Sequence, residues 1–113
     1  MILITDSLAY ASPYITEYYG EVGLVGGVPT VVKSGTLAGS NLKMNLAIKN
    51  CVERCGVDVS AALYAATEGP ARLLNIFETR GSIEVGKRAD LVILKADFEV
   101  IRTISNGIEF ECS

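Results

Sequence analysis

Residues 1–6 read MILITD, four apolar residues and a Thr closed by a lone Asp at position 6. The run Ile2-Leu3-Ile4-Thr5 is continuously apolar or β-branched and does not alternate, which predicts a strand buried on both faces. Strands of that kind belong to parallel sheets, where each neighbour is reached by a crossover of a dozen or more residues. No crossover precedes this one, so the sequence is expected to open in the middle of a fold, with Asp6 at the carboxyl end of a buried strand. Taken alone, an Asp after a strand is also an ordinary turn or cap residue.

The chain has 113 residues, enough for one domain of ordinary size. Half the residues are hydrophobic, one fifth are charged and the mean hydropathy is +0.36, a globular composition that is apolar for so small a domain. That excess fits an oligomer or a part of something larger. No apolar run approaches the roughly 18 residues that span a bilayer, and no basic flank with an apolar signal core stands at the N-terminus, so a cytoplasmic protein with no membrane partner is expected. The net charge of −3, with a pI near 4.9 and scattered Lys and Arg, argues against nucleic acid, which needs a basic footprint.

Three cysteines without an export signal predict free thiols. Cys51 and Cys55 stand four apart, but Met44, Ala47, Ile48, Cys51, Val52 and Cys55 form one apolar stripe at helical spacing, so both are expected to pack as small hydrophobes. The chain has no histidine, which removes His-based metal sites and Ser-His or Cys-His nucleophile pairs from its own repertoire.

Beyond Asp6 the sequence turns irregular through Pro13, and Tyr14 to Gly20 reads as a loop with one helical turn. Glu21 to Val25 and Val28 to Lys33, broken by Gly26-Gly27, predict a short hairpin. The glycines fit neither the dinucleotide nor the Walker A spacing. Ser34 to Ser40 is a run of small residues before a periodic segment. Ser40 is the expected N-cap of a helix over Asn41–Cys55 that stops at Gly56. Amides just ahead of a helix also suit an anion or a carbonyl oxygen, but a loop and cap is the simpler reading.

Asp58 or Ser60 caps a second helix through Glu68, with Ala62, Leu63, Ala65 and Ala66 inward. Gly69-Pro70 ends it and starts a third with Pro70 at N1, packed through Leu73, Leu74 and Ile76. Strands are expected over Gly81–Gly86, Ala89–Leu94, Val100–Ile104 and Ile108–Phe110, the last two joined by Asn106-Gly107, a strong hairpin signal.

Three stretches carry a resemblance: "ITDSLA", "GTLAGSNLKMNLAIKNCVERCGV", and "ATEGPARLLNI" running into "GSIEVGKRADLVIL". Together they resemble the C-terminal portion of the N-acetylglucosamine-6-phosphate deacetylase family, within the amidohydrolase superfamily. The third stretch is widely shared in the superfamily, and the second narrows the match to the deacetylases. The resemblance implies an α/β fold, the C-terminal fragment of a (β/α)8 metal-dependent hydrolase barrel plus part of a small β-sandwich domain. Residues 1–80 would be the end of the barrel, with its last strand, substrate loop and helices, and residues 81–113 strands of the small β domain. A full barrel takes about 250 residues, so only its end is present.

The same resemblance implies that Asp6 is the catalytic carboxylate, taking a proton from water and returning it to the leaving amine. Leu37, Ala38 and Gly39 match the family's substrate-binding loop. A divalent metal, zinc by family habit, would serve the intact enzyme, with a sugar phosphate as substrate. The family's metal ligands lie upstream of the matched stretches, and a catalytic zinc takes three protein ligands. This chain alone is therefore expected to hold no metal and to be inactive, and to form a homo-oligomer or associate with the missing barrel part. Two alternatives stand beside this reading: a non-catalytic α/β assembly module, and the C-terminal part of a dihydroorotase-like or imidazolonepropionase-like amidohydrolase.

Overall fold

A computed structural model of the chain describes residues 1–8 and 20–111. The loop expected over residues 14–19 and the thiol of Cys112 lie outside the described residues. The chain divides into two compact units, one formed by Thr5–Lys43 and the other by Met1–Ile4 together with Met44–Ser113.

The first unit is built on a hairpin. Strands β1 (Val22–Val25) and β2 (Val28–Val31) pair antiparallel, with Val22 opposite Val31 and Val25 opposite Val28. Gly26 and Gly27 turn between them with φ of 59° and 82°, the two positive values that a two-residue turn of matching twist requires. A two-residue strand β3 (Thr36–Leu37) adds to β2, placing Leu37 opposite Thr30. This pairing lies inside the run of small residues expected to be loop. Val22 and Pro29 are the buried residues of the hairpin, and Asn41 Nδ2 donates to the Gly27 carbonyl at 2.8 Å.

In the second unit, helix α1 (Met44–Glu53) is followed by α2 (Val59–Ala66) and α3 (Glu68–Leu73). The expected stripe on α1 buries Ala47 and Ile48, while Cys51 and Val52 are half-buried and Met44 and Cys55 are exposed. Cys51 and Cys55 are free. Gly56 ends the segment at φ 67° and Val57 N–H reaches back to the Cys51 carbonyl at 3.0 Å, the expected stop. Asp58, not Ser60, caps α2: its Oδ1 accepts the Ser60 and Ala61 amides at 2.8 and 3.3 Å.

The core between these helices is made of small residues, Ala62, Ala65 and Ala71 beside Ala47 and Ile48. Leu63, Leu73, Leu74 and Ile76, expected to face inward, are exposed instead. Alanines let helix backbones approach closely, and the branched side chains are displaced to the rim. Helix α3 begins at Glu68, so Pro70 stands third and not first, still within the turn whose N–H groups have no helical acceptor.

The same unit ends in an antiparallel sheet of β4 (Leu91–Leu94), β5 (Val100–Ser105) and β6 (Ile108–Glu111), in that order. Asn106 and Gly107 form the β5–β6 turn at φ 51° and 79°, as their sequence signals. Residues 81–86, expected as a strand, form bends and turns. At Gly81 a Cβ would stand 2.6 Å from that of Ala71, a close approach only glycine allows. Further on, Lys87 Nζ lies 3.5 Å from the centre of the Phe77 ring, whose centroid is also 3.8 Å from the Arg72 guanidinium carbon. These contacts hold the segment as a connector, with Ile83 and Val85 fully outward.

The opening stretch differs most from expectation. Residues 1–6 enter no strand, and Met1, Ile2 and Ile4 are exposed. Leu3 donates its amide to the Ala65 carbonyl at 2.8 Å, which ties it to α2 of its unit. A strand of a parallel sheet needs strands hydrogen-bonded at its edges and helices over its faces, and among the described residues no strand pairs with this one. No described helix is long and apolar enough to cross a membrane.

Candidate active site

Asp6 sits where extended chain gives way to a tight turn. Ser7 N–H donates to Thr5 Oγ1 at 3.2 Å, and Asp6, at the centre of that turn, has φ 50°. An L residue with a Cβ pays for such a conformation, on the order of 1–3 kcal/mol, though Asp and Asn tolerate it better than most. It persists here because a second segment grips the turn from outside.

That segment is Gly39-Ser40. Ser40 N–H donates to the Asp6 carbonyl at 2.8 Å and the Ser40 carbonyl accepts Leu8 N–H at 2.9 Å, a parallel bridge between Ser7 and Ser40. The Ser40 hydroxyl donates to the Thr5 carbonyl and accepts Leu42 N–H at 3.1 Å. Gly39 makes the approach possible: at φ 130°, a Cβ there would stand 2.9 Å from the Asp6 carbonyl oxygen, 3.4 Å from Leu8 Cβ and 3.7 Å from Asp6 Oδ2. Only a residue without a side chain fits.

Of the four residues expected to carry function, the structure brings Asp6 and Gly39 into contact. Leu37 and Ala38 are fixed by the hairpin instead. Leu37 pairs with Thr30 and exposes its side chain, and Ala38 N–H donates to the Pro29 carbonyl at 2.9 Å. The amides of Ala38 and Ser40 are thus spent within the unit, which removes them from any anion cradle. Ser40 is not the N-cap expected of it. The helix starts at Met44, because Ser40 has its backbone committed to Asp6 and Leu8.

The Asp6 carboxylate is exposed at the edge of this knot. This leaves a solvent-facing carboxylate with a glycine beside it, open to a group placed against it. Among the described residues no three His, Cys, Asp or Glu side chains are gathered, and the sequence offers no histidine. A concavity of about 870 Å³ belongs to the other unit, between its helices and β4–β5, and is lined by none of the four residues.

A second carboxylate, overlooked in the sequence, organises the C-terminal sheet. Asp90 Oδ1 accepts the Asn106 amide at 2.8 Å and Arg88 Nε at 2.9 Å, while Gly107 N–H donates to the Ala89 carbonyl at 3.0 Å. The Asn106 amide, then Arg88 and the nearby Arg80, hold the Asp90 carboxyl below the usual carboxylate range. The signal for it was present in "KRADLVIL", where a charge interrupts an otherwise apolar lead into β4.

The amidohydrolase family model matches residues 1–108. The chain belongs to the amidohydrolase family. It is 39% identical over 109 residues to the N-acetylglucosamine-6-phosphate deacetylase of Bacillus subtilis, an alignment covering 95% of the chain and 28% of that protein. It is 38% identical over 103 residues to the N-acetylgalactosamine-6-phosphate deacetylase of Escherichia coli O157:H7, covering 88% of the chain and 27% of that protein. Among solved structures, it is similar to N-acetylglucosamine-6-phosphate deacetylase from Pasteurella multocida, with a TM-score of 0.80 at 29% identity over 98% of the chain and 30% of that one. A mutant of the Mycobacterium smegmatis enzyme in complex with N-acetyl-D-glucosamine-6-phosphate matches with a TM-score of 0.70 at 30% identity, over 96% of the chain and 30% of that one. The chain thus spans less than a third of the length of these relatives.

Proposed function

We propose that the chain is the C-terminal part of a deacetylase that hydrolyses the acetamide of an N-acetylated hexosamine 6-phosphate to the free amine and acetate. The observation that supports it most is similarity along nearly the whole chain to deacetylases of that substrate class, in sequence and in structure. In this reading residues 1–80 end the barrel and residues 81–113 supply strands of the small β domain.

Asp6 carries the proton. Its carboxylate takes one from the attacking water as oxygen bonds to the acetamide carbon, then delivers it to the nitrogen as the C–N bond breaks. Gly39, against Asp6, lets the sugar site approach that carboxylate, and Leu37 and Ala38 form one wall of it, Leu37 through its exposed side chain. A divalent metal is implied by family likeness, but the residues present do not fit one by themselves, since a catalytic zinc takes three protein ligands. In this reading its ligands, and most contacts to the phosphate, lie in the part of the relatives that these 113 residues do not match. A cytoplasmic enzyme of amino-sugar metabolism fits that substrate.

The near-equal identity to the galactosamine relative favours keeping the C4 epimer as a second substrate. The test is a chimera, the Bacillus subtilis deacetylase with its matching segment replaced by this chain. Acetate release from N-acetylglucosamine 6-phosphate above that from the galactosamine epimer supports the first reading, and the reverse order supports the second. A folded chimera that releases acetate from neither contradicts both.

A further inference from the structure

We propose that Ser40 is a positioning residue for Asp6, a role that rests on reading Asp6 as the proton-transfer carboxylate. Ser40 meets the Asp6 turn at three successive points. Its hydroxyl donates to the Thr5 carbonyl, its amide to the Asp6 carbonyl, and its own carbonyl accepts the Leu8 amide. The peptide groups on both sides of Asp6 are therefore fixed from one residue, and with them the direction in which Asp6 leaves the backbone.

Almost any residue at position 40 can form the backbone part of this grip, but only a hydroxyl side chain forms the rest, and without it the backbone bonds to Asp6 and Leu8 open more often. That hydroxyl also accepts Leu42 N–H, so it locks the loop's exit to the same carbonyl that precedes Asp6. The local bond from Ser7 N–H to Thr5 Oγ1 is a short-range turn contact that water replaces readily. Without Ser40 Oγ the positive φ of Asp6 has less to hold it, and the carboxylate spreads over several directions. A proton shuttle that wanders by about 1 Å loses on the order of a hundredfold in rate, so partial loosening is expected to cost about tenfold.

Two measurements test this. In the 113-residue chain, Ser40→Ala should speed hydrogen exchange at the Leu8 amide by about tenfold, while the Asn106 amide, in the other unit, is unchanged. In the chimera with the Bacillus subtilis deacetylase, Ser40→Ala should lower kcat about tenfold and leave KM within about twofold, and Ser40→Thr, which keeps a hydroxyl, should restore kcat. Unchanged exchange at Leu8, or full kcat in the Ser40→Ala chimera when Asp6→Asn abolishes turnover, overturns the positioning role. Full turnover by the Asp6→Asn chimera, or none by the unsubstituted one, overturns the reading of Asp6 itself and takes this role with it.

Discussion

At the scale of single residues, the account turns on how closely the chain can approach Asp6. Asp6 stood out in the sequence because a charge closes an apolar run, and the resemblance gave it a role. What the sequence does not disclose is that Gly39, thirty-three residues on, lies against it, because a close approach between distant segments leaves no local pattern. Gly39→Ala would press a Cβ onto the Asp6 carbonyl at 2.9 Å while holding φ at 130°, so it should destabilise the unit Thr5–Lys43 by about 1–3 kcal/mol. Limited proteolysis that cuts this unit faster than in the parent chain checks it, and unchanged cleavage counts against the contact. Asp90 makes a pH prediction. Its folded carboxyl titrates below its unfolded value, so its contribution is full above about pH 4 and is lost as pH falls through the lower folded value. Exchange at the Asn106 amide should therefore quicken on acidification below about pH 4, after correction for intrinsic rates, and Asp90→Asn should flatten that dependence. A wild-type profile already flat there would deny Asp90 its hold on the turn.

At the scale of elements, legibility followed the range of the interaction. The two-residue turns and the Gly56 stop were readable, as was a cap at Asp58 or Ser60, since each is decided by backbone chemistry within a few residues. Strands that need distant partners were not. Ile2 to Thr5 has the composition of a buried strand but no described strand beside it. Residues 81–86 alternate well enough for a strand, yet are held as a connector by the Gly81 approach to Ala71 and by the cations on Phe77. The inward face of the helices was misjudged for a related reason: periodicity shows which stripe is apolar, not whether alanine or leucine will occupy the narrow contact. The β5–β6 hairpin offers the cleanest test. Gly107 has φ 79°, where a β-branched residue is strained, so Gly107→Val should cost about 1–3 kcal/mol and lower the unfolding midpoint. An unchanged midpoint would mean that the turn does not set the register of the sheet.

At the scale of the whole molecule, the chain buries little for its composition. Half of its residues are hydrophobic, yet Leu73, Leu74, Val92, Ile108 and Phe110 are all more than half exposed. Exposed apolar surface on this scale marks faces that other protein covers. Expressed by itself, the 113-residue chain should associate at micromolar concentration, so light scattering should give a mass of a dimer or more, and a clean monomer would contradict that expectation. The chemical claim is more demanding, because it assigns one carboxylate the proton transfer of a reaction whose other groups lie elsewhere. The direct measurement is kcat for acetate release by the Bacillus subtilis chimera with and without Asp6→Asn, at matched metal content and matched circular dichroism. If Asp6 moves the proton, the substitution should cut kcat by about a hundredfold or more with the fold and metal retained; turnover within about threefold of the parent chimera would contradict the account.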